Sequence, residues 1–216
     1  TPAVVTNGQP NFQGTVVWTG NAQPSGYQVS LTGGGVVLRH LVTRVDPVTL
    51  TPVPTPPAST GTRDVSITGA GQSVGDFSTL RDLSLSGNAG AVAVPPGTYR
   101  NFTASSATAF VLGVAGSTQP AIYNLNELTL TSRSELNVVG PVILNVAGQV
   151  QIDISSVAGE KDHPLWLSLA VAAGNVKVES QSRIYGVVRA PAGLFSLKGN
   201  SELFGFVACD RLIVDG

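Results

Sequence analysis

The feature that most constrains the fold of this chain is a repeat near its C-terminus. The stretch VKVESQSRIYGVVRA (176–190) returns soon afterwards as FSLKGNSELFGFVAC (195–209). Every apolar or small residue of the first copy falls on one of the second. The pairs are Val176 with Phe195, Val178 with Leu197, Ser182 with Ser201, Ile184 with Leu203, Gly186 with Gly205, Val188 with Val207 and Ala190 with Cys209. Because one copy alone cannot bury its apolar face, the repeat predicts that successive copies stack on each other.

The same pattern occurs earlier in the chain, in LTLTSRSELNV (128–138) and, more loosely, in LSLSGNAGA (83–91). A period of roughly 20 residues with two-residue alternation and small-residue turns is typical of a solenoid built from short parallel strands. Helical solenoids need apolar stripes with a 3.6-residue period, which the sequence lacks. We therefore predict an all-β protein containing a parallel β-helix. The usual hand of parallel crossovers makes the predicted helix right-handed.

Composition supports the all-β prediction and excludes several kinds of partner. The 25 glycines and 14 prolines indicate many turns, and charged residues make up only 12% of the chain. A net charge of -1 does not favour nucleic acid or a membrane surface. The sequence has no apolar run long enough to span a membrane. Its two histidines and single cysteine do not have metal-ligand spacing, so no metal or other cofactor is expected.

We interpret residues 1–216 as a single domain with two parts. A β-rich N-terminal part (1–74), which includes a Pro-rich excursion (46–62), is predicted to pack on a parallel β-helix formed by residues 75–216. The alternative is that the N-terminal part forms a mobile arm. Two apolar runs on either side of residues 33–35, which are all glycine, predict a hairpin there. Residues 155–164 are predicted to form a loop between two repeats.

The repeat also predicts which outward side chains stack. If positions 176, 178, 184 and 188 point inward, oppositely charged residues meet in the pairs Glu179–Lys198 and Arg183–Glu202. Apolar residues meet at two further outward positions. Tyr185 stacks on Phe204 and Val187 on Phe206; we call these four residues the apolar column. Since a solvated face should be polar, the apolar column is our candidate packing or partner surface.

The sequence offers little chemistry for catalysis. Residues 160–163 (Glu, Lys, Asp, His) are the only dense polar cluster, and four consecutive loop residues rarely converge, so a solvated turn is expected. Many carbohydrate lyases and hydrolases are β-helices that use outward charged residues. The outward charges here are Asp153, Glu179, Arg183, Arg189 and Glu202. Because stacking between repeats already explains the charge pairs, we predict no catalytic residues and no enzyme, with a polysaccharide lyase or hydrolase as the alternative.

Several stretches resemble a known family. They are VPPGTYRNFTA (94–104), the Gly140-Pro141-Val142 segment, GVVRAP (186–191) and the repeat from Gly199-Asn200-Ser201 to Gly205. Together, over about residues 80–216, they are similar to the β-helical domain of bacterial cell-envelope and pilus-assembly-associated proteins, and to choice-of-anchor adhesin-like proteins. The resemblance implies an exported, non-enzymatic structural or adhesive module at the cell surface or outside the cell. Its partners would be envelope or pilus proteins, or a host or environmental surface ligand.

Two other functions stay open. The chain is also similar in style to bactofilins, which are self-assembling β-helix scaffolds, so self-association is possible. A carbohydrate-binding β-helix would use exposed aromatic rings for stacking, for which Trp18, Tyr185 and Phe204 are the candidates.

Overall fold

The computed structural model describes residues 4–6, 13–19, 29–31, 37–44 and 50–215, the first four ranges by their backbone alone. The protein is all-β. Within the described ranges the helical pieces are two short 3-10 helices, Phe77–Thr79 and Pro164–Trp166. The strands are β1 (Val4–Thr6), β2 (Gln13–Thr19), β3 (Val29–Leu31), β4 (Val37–Arg44), β5 (Arg63–Ile67), β6 (Leu80–Leu85), β7 (Ala91–Ala93), β8 (Gly97–Thr98), β9 (Asn101–Ala104), β10 (Ala109–Leu112), β11 (Ala121–Leu125), β12 (Glu127–Leu130), β13 (Glu135–Val138), β14 (Val142–Val146), β15 (Val150–Ile152), β16 (Val157–Ala158), β17 (Leu167–Val171), β18 (Val176–Val178), β19 (Arg183–Lys198) and β20 (Glu202–Asp215).

Strands β5 to β20 form one 16-stranded sheet whose pairs are all parallel. They fall into three rows: β5, β6, β9, β12, β15 and β18 in the first, β7, β10, β13 and β16 in the second, and β8, β11, β14 and β17 in the third. Strands β19 and β20 are long enough to run through all three rows. We call a stretch that contributes to each row a circuit. The longest path through the sheet joins eleven strands and curls into a half-barrel, which is compatible with a solenoid.

The register of the last two circuits is the one that the sequence repeat predicts. Residue pairs such as Ile184↔Leu203 and Val188↔Val207 face each other across β19 and β20. Earlier circuits vary in length. In the second row, Ala91 pairs with Ala109, Ala109 with Glu135, Glu135 with Val157 and Val157 with Arg183, and the separation along the chain changes at each step. This variation explains why the repeat is plain only at the end of the chain.

The core consists of apolar side chains stacked from circuit to circuit. Residues 176, 178, 184 and 188, which were predicted to point inward, are all 0% exposed. In the first row one continuous column comprises Leu83, Phe102, Leu128, Val150, Val176 and Phe195. Burial of such columns is the main stabilising term of the fold, since each circuit covers the apolar face of its neighbour.

The corner between the first and second rows repeats one local structure. Two residues with left-handed backbone angles precede a buried hydroxyl side chain. These corners are Ser106 and Ala107 before Thr108, Ser132 and Arg133 before Ser134, Ile154 and Ser155 before Ser156, and Ser180 and Gln181 before Ser182. Hydroxyl groups link neighbouring circuits here. The Ser156 N–H donates to Ser182 Oγ at 3.2 Å, and the Ser182 N–H donates to Ser201 Oγ at 3.0 Å.

The structure corrects two details of the sequence analysis. The predicted hairpin is wrong in its pairing, because β3 pairs with β1 and β4 with β2, both in parallel. Its glycines, residues 33–35, lie outside the described residues, as does the side chain of Trp18. The predicted loop 155–164 contains a strand, β16, which pairs with β13 and β19, so the loop proper is shorter. Strand β5 already belongs to the large sheet. The Cα atoms of β1 approach those of β20, and beyond this contact the packing of residues 1–49 on that sheet stays a prediction.

Candidate interaction surface

The apolar column lies on the outer side of the last two circuits, where β19 and β20 hold its members in register. Tyr185 and Phe204 stack with their ring centroids 4.8 Å apart and an angle of 14° between their planes. Val187 faces Phe206 one circuit later. The four residues differ in the fraction of their surface that is exposed to solvent. Tyr185 is 8% exposed and Val187 is half-buried, whereas Phe204 and Phe206 are 44% and 68% exposed. The column therefore has a packed inner part and an open outer edge.

A further exposed apolar side chain, Leu165, lies in the 3-10 helix Pro164–Trp166. The Cα atoms of this helix approach within 8 Å of those of β19 and β20, and Leu165 is 66% exposed. Trp166 packs against the core, and the His163 ring stacks on it at 4.0 Å. We call the two exposed side chains Phe204 and Phe206 the apolar patch. The predicted loop ended at residue 164, and the sequence analysis did not single out Leu165 as an exposed apolar residue.

An ion pair borders the apolar column, as the repeat predicts. Arg183 Nε donates to Glu202 Oε2 at 2.6 Å, and this carboxylate raises the pKa of the Arg183 guanidinium. The second predicted pair is not seen as an ion pair within residues 50–215: Glu179 Oε1 accepts a hydrogen bond from Ser196 Oγ at 3.5 Å. Since both groups of the Arg183–Glu202 pair are substantially exposed, water screens it and it adds little stability.

Two similar ion pairs lie at the other end of the sheet. Arg81 of β6 donates two hydrogen bonds, from Nε and Nη2, to the carboxylate of Asp64 in the neighbouring strand β5. Arg100 donates in the same way to the carboxylate of Asp82. The neighbouring guanidinium lowers the pKa of Asp64, with the Arg81 hydrogen bond as the main cause. In the register of β5 and β6 Asp64 faces Asp82, and an arginine next to the stacked position binds each of these carboxylates.

Other outward charges weighed as catalytic candidates also make local structural contacts. Asp153 Oδ1 accepts a hydrogen bond from the Ile154 N–H at 2.8 Å, which supports the left-handed turn. Arg189 Nη2 donates to the Thr51 carbonyl oxygen at 3.4 Å. Each of these contacts holds the backbone in place. The absence of catalytic residues stays a prediction.

The polar cluster of residues 160–163 forms a turn. The His163 N–H donates to the Glu160 carbonyl oxygen at 3.2 Å, and the Asp162 N–H donates to Glu160 Oε1 at 3.3 Å. Lys161, Asp162 and His163 are exposed to solvent. Among the described residues, no three His, Cys, Asp or Glu side chains come close enough together to hold a metal ion.

Comparison with protein-family models, with curated proteins and with solved structures found no match to this chain. In the described part of the chain, neither 3-10 helix has the length or apolarity to cross a membrane.

Proposed function

We propose that residues 75–216 form a right-handed parallel β-helix that acts as a non-enzymatic structural and adhesive module on a bacterial surface or pilus. The three rows of parallel strands and the stacked apolar columns support the β-helix. The hand follows from the strong preference of parallel crossovers for right-handed connections. Export and surface location rest on the family resemblance of residues 80–216.

The observation that carries the adhesive role is the apolar patch. Soluble proteins rarely hold clustered large apolar side chains in water without a partner. Here Phe204 and Phe206 flank Gly205 on one strand, and strand pairing with β19 fixes the backbone positions of both. A rigid patch binds with little loss of conformational entropy, because its side chains are ordered before contact. The patch is therefore suited to holding an apolar partner surface.

The test compares adsorption of the unmodified chain with that of a Phe204→Ser/Phe206→Ser variant. Surface plasmon resonance would measure adsorption to methyl-terminated and hydroxyl-terminated alkanethiol layers. We expect the unmodified chain to prefer the methyl surface. The affinity of the variant for this surface should be lower by at least about tenfold, because adsorption would bury two phenyl rings that together contribute several kcal/mol. Ile122→Ser is the matched control, because Ile122 is 50% exposed on another circuit.

Three outcomes would contradict the proposed role. Equal adsorption of the variant and the unmodified chain would show that the patch does not make the contact. If light scattering showed that the unmodified chain is a dimer and the variant a monomer, the patch would be a subunit interface. Binding to a polysaccharide array that the variant abolishes would instead favour the carbohydrate-binding alternative.

A further inference from the structure

At four inward positions the last circuit is less buried than the circuit before it, although its Val214 is only 6% exposed. The inward residues of β19 are fully buried because β20 covers them: Ile184, Val188, Ala190 and Phe195 are all 0% exposed. The residues at the same positions one circuit later are only partly buried. These are Leu203, Val207, Cys209 and Leu212, which we call the end plate. An apolar surface of this kind needs a cap, since solenoids depend on their terminal elements to shield the core from water.

The outer edge of β20 is a second feature of this end of the sheet. Among the described strands, β20 pairs with β19 alone. A long parallel strand at a sheet edge invites pairing with another chain, and natural proteins usually cover or interrupt such an edge. The end plate and the edge of β20 therefore form one surface that needs a partner.

The path of the chain brings the N-terminal part to this end. Leu50 and Thr51 line a shallow cavity of about 250 Å³ together with Arg189, Pro191 and Ala208, which belong to the last two circuits. The hydrogen bond from Arg189 to Thr51 fixes the chain at this point. The part of the chain that precedes Leu50 thus enters the structure beside the open end.

One strand of that part lies next to β20. The Cα atoms of β1 approach within 8 Å of those of β20, and β1 pairs with β3. Their sequences, VVT and VSL, are mainly apolar, as a cap for an apolar end requires.

We propose that the paired strands β1 and β3 dock across the end plate and cap the sheet. The occupant of this surface is thus a segment of the same chain. It covers the side chains that the next circuit would otherwise cover, and it keeps the edge of β20 from stacking on a second copy. This inference rests on the stacked circuits of the proposed β-helix and is independent of the adhesive role of the apolar patch.

The test uses Cys209, which is the only cysteine of the chain and a member of the end plate. Val4→Cys and Val5→Cys are made separately, because adjacent residues of a strand face opposite sides. Under mild oxidation, we expect one of the two variants to form an intramolecular disulfide with Cys209, detected by mass spectrometry. We expect it to form at least tenfold faster than in Val17→Cys, the control in β2.

Three results would overturn the proposed cap. Equal rates in the β1 and β2 variants would mean random collision of a mobile arm. The absence of an intramolecular bond in both β1 variants would mean that another element covers the end plate. Disulfide-linked dimers that increase with protein concentration would place a second copy there. None of these results depends on the adsorption assay of the apolar patch, so the two proposals can fail separately.

Discussion

Individual glycines allow circuits of this sheet to approach each other closely. A Cβ atom on Gly205 would lie 1.9 Å from the Gly186 carbonyl oxygen, and Gly205 has a φ of +149°. The sequence identified this position, because Gly186 and Gly205 coincide in the repeat. This coincidence predicts a corner where a larger side chain does not fit, whereas the identity of the contacting atom depends on the distance between the two backbones.

Replacing Gly205 with valine should therefore destabilise the protein. Overpacking of this kind typically costs about 1–3 kcal/mol. Urea denaturation would measure the free energy of unfolding, with Gly69→Val as control, because a Cβ atom on Gly69 meets no atom within 4 Å. An unchanged free energy in Gly205→Val would contradict the close approach of the two circuits.

The hydrogen bonds from backbone N–H groups to serine hydroxyl groups, at the corner between the first and second rows, give a second residue-level prediction. Ser182→Ala removes the acceptor of the buried Ser156 N–H. An unsatisfied buried donor costs about 1–3 kcal/mol, so the free energy of unfolding should fall by that amount. Ser66→Ala, at an exposed position of β5, should stay within about 0.5 kcal/mol of the unmodified chain. Thermal unfolding of the two variants would separate these outcomes, and equal effects would mean that water replaces the lost acceptor.

One buried group, Tyr99, and one partly buried group, Cys209, predict that stability falls at high pH. Burial raises the pKa of Tyr99 to about 12 from its ordinary value of 10.0, and raises the pKa of Cys209 to about 11 from 9.0. The folded state thus binds these protons more tightly than the unfolded state does. Their contribution is fully present below about pH 9 and is lost as the pH rises through about 9 to 12. Denaturant titrations from pH 8 to 11 should show the decline, and Cys209→Ala should delay its onset. A flat profile would contradict burial of both groups.

At the scale of elements, the described part of the Pro-rich stretch, residues 50–62, connects the last circuits to the start of β6. We call these residues the strap. Within the described residues, 50–62 contain no strand. Thr51 is bound to Arg189 near one end, while the Thr62 N–H donates to the Thr79 carbonyl oxygen at 3.0 Å, just before β6. An extended Pro-rich chain rises about 3.1 Å per residue, which is enough to cross the five steps between the circuits of β19 and β6 at about 4.8 Å each.

Val53 is the buried apolar residue of this strap, with an exposed fraction of 8%. Val53→Asp would place a charge in an apolar contact and should lower the free energy of unfolding by about 1–3 kcal/mol. Thr55→Asp adds the same charge at an exposed position and should have little effect. Chemical denaturation of the two variants compares them directly. Equal stabilities would show that the strap does not contribute to the fold.

The corners show why the sequence predicted the strands better than the turns. Alternation of apolar and polar residues identified the strands that contain Leu128, Val150 and Val176. A two-residue alternation can be read from side-chain type alone. The left-handed pairs Ser132–Arg133 and Ser180–Gln181 carry no glycine or asparagine, so ordinary turn signals did not reveal them. They are held by hydrogen bonds to neighbouring circuits, such as the Gln181 N–H to the Gly199 carbonyl oxygen at 2.7 Å.

At the scale of the whole molecule, the sequence predicted the parallel sheet from the last two circuits, where the spacing is constant. It predicted Phe204 and Phe206 as outward residues, but not the difference in exposure between Phe206 and Tyr185. That difference arises because β20 covers the side chains of β19, whereas among the described strands none pairs with the outer edge of β20. Edge position is a property of the assembled sheet, and the residues alone do not encode it.

Stacking of successive circuits is the central claim of this account, and engineered disulfides test it most directly. Arg183→Cys/Glu202→Cys, in a Cys209→Ala background, places thiols on residues that face each other one circuit apart. The expected spacing of about 4.8 Å between neighbouring strands allows a disulfide to form. Glu135→Cys/Arg183→Cys is the control, because Val157 lies between these positions. Its spacing of about 9.6 Å exceeds the disulfide limit of about 7 Å. We predict rapid oxidation to an intramolecular disulfide in the first variant and none in the second. Failure of the first variant to form this bond, or equal oxidation of both variants, would contradict the stacked circuits.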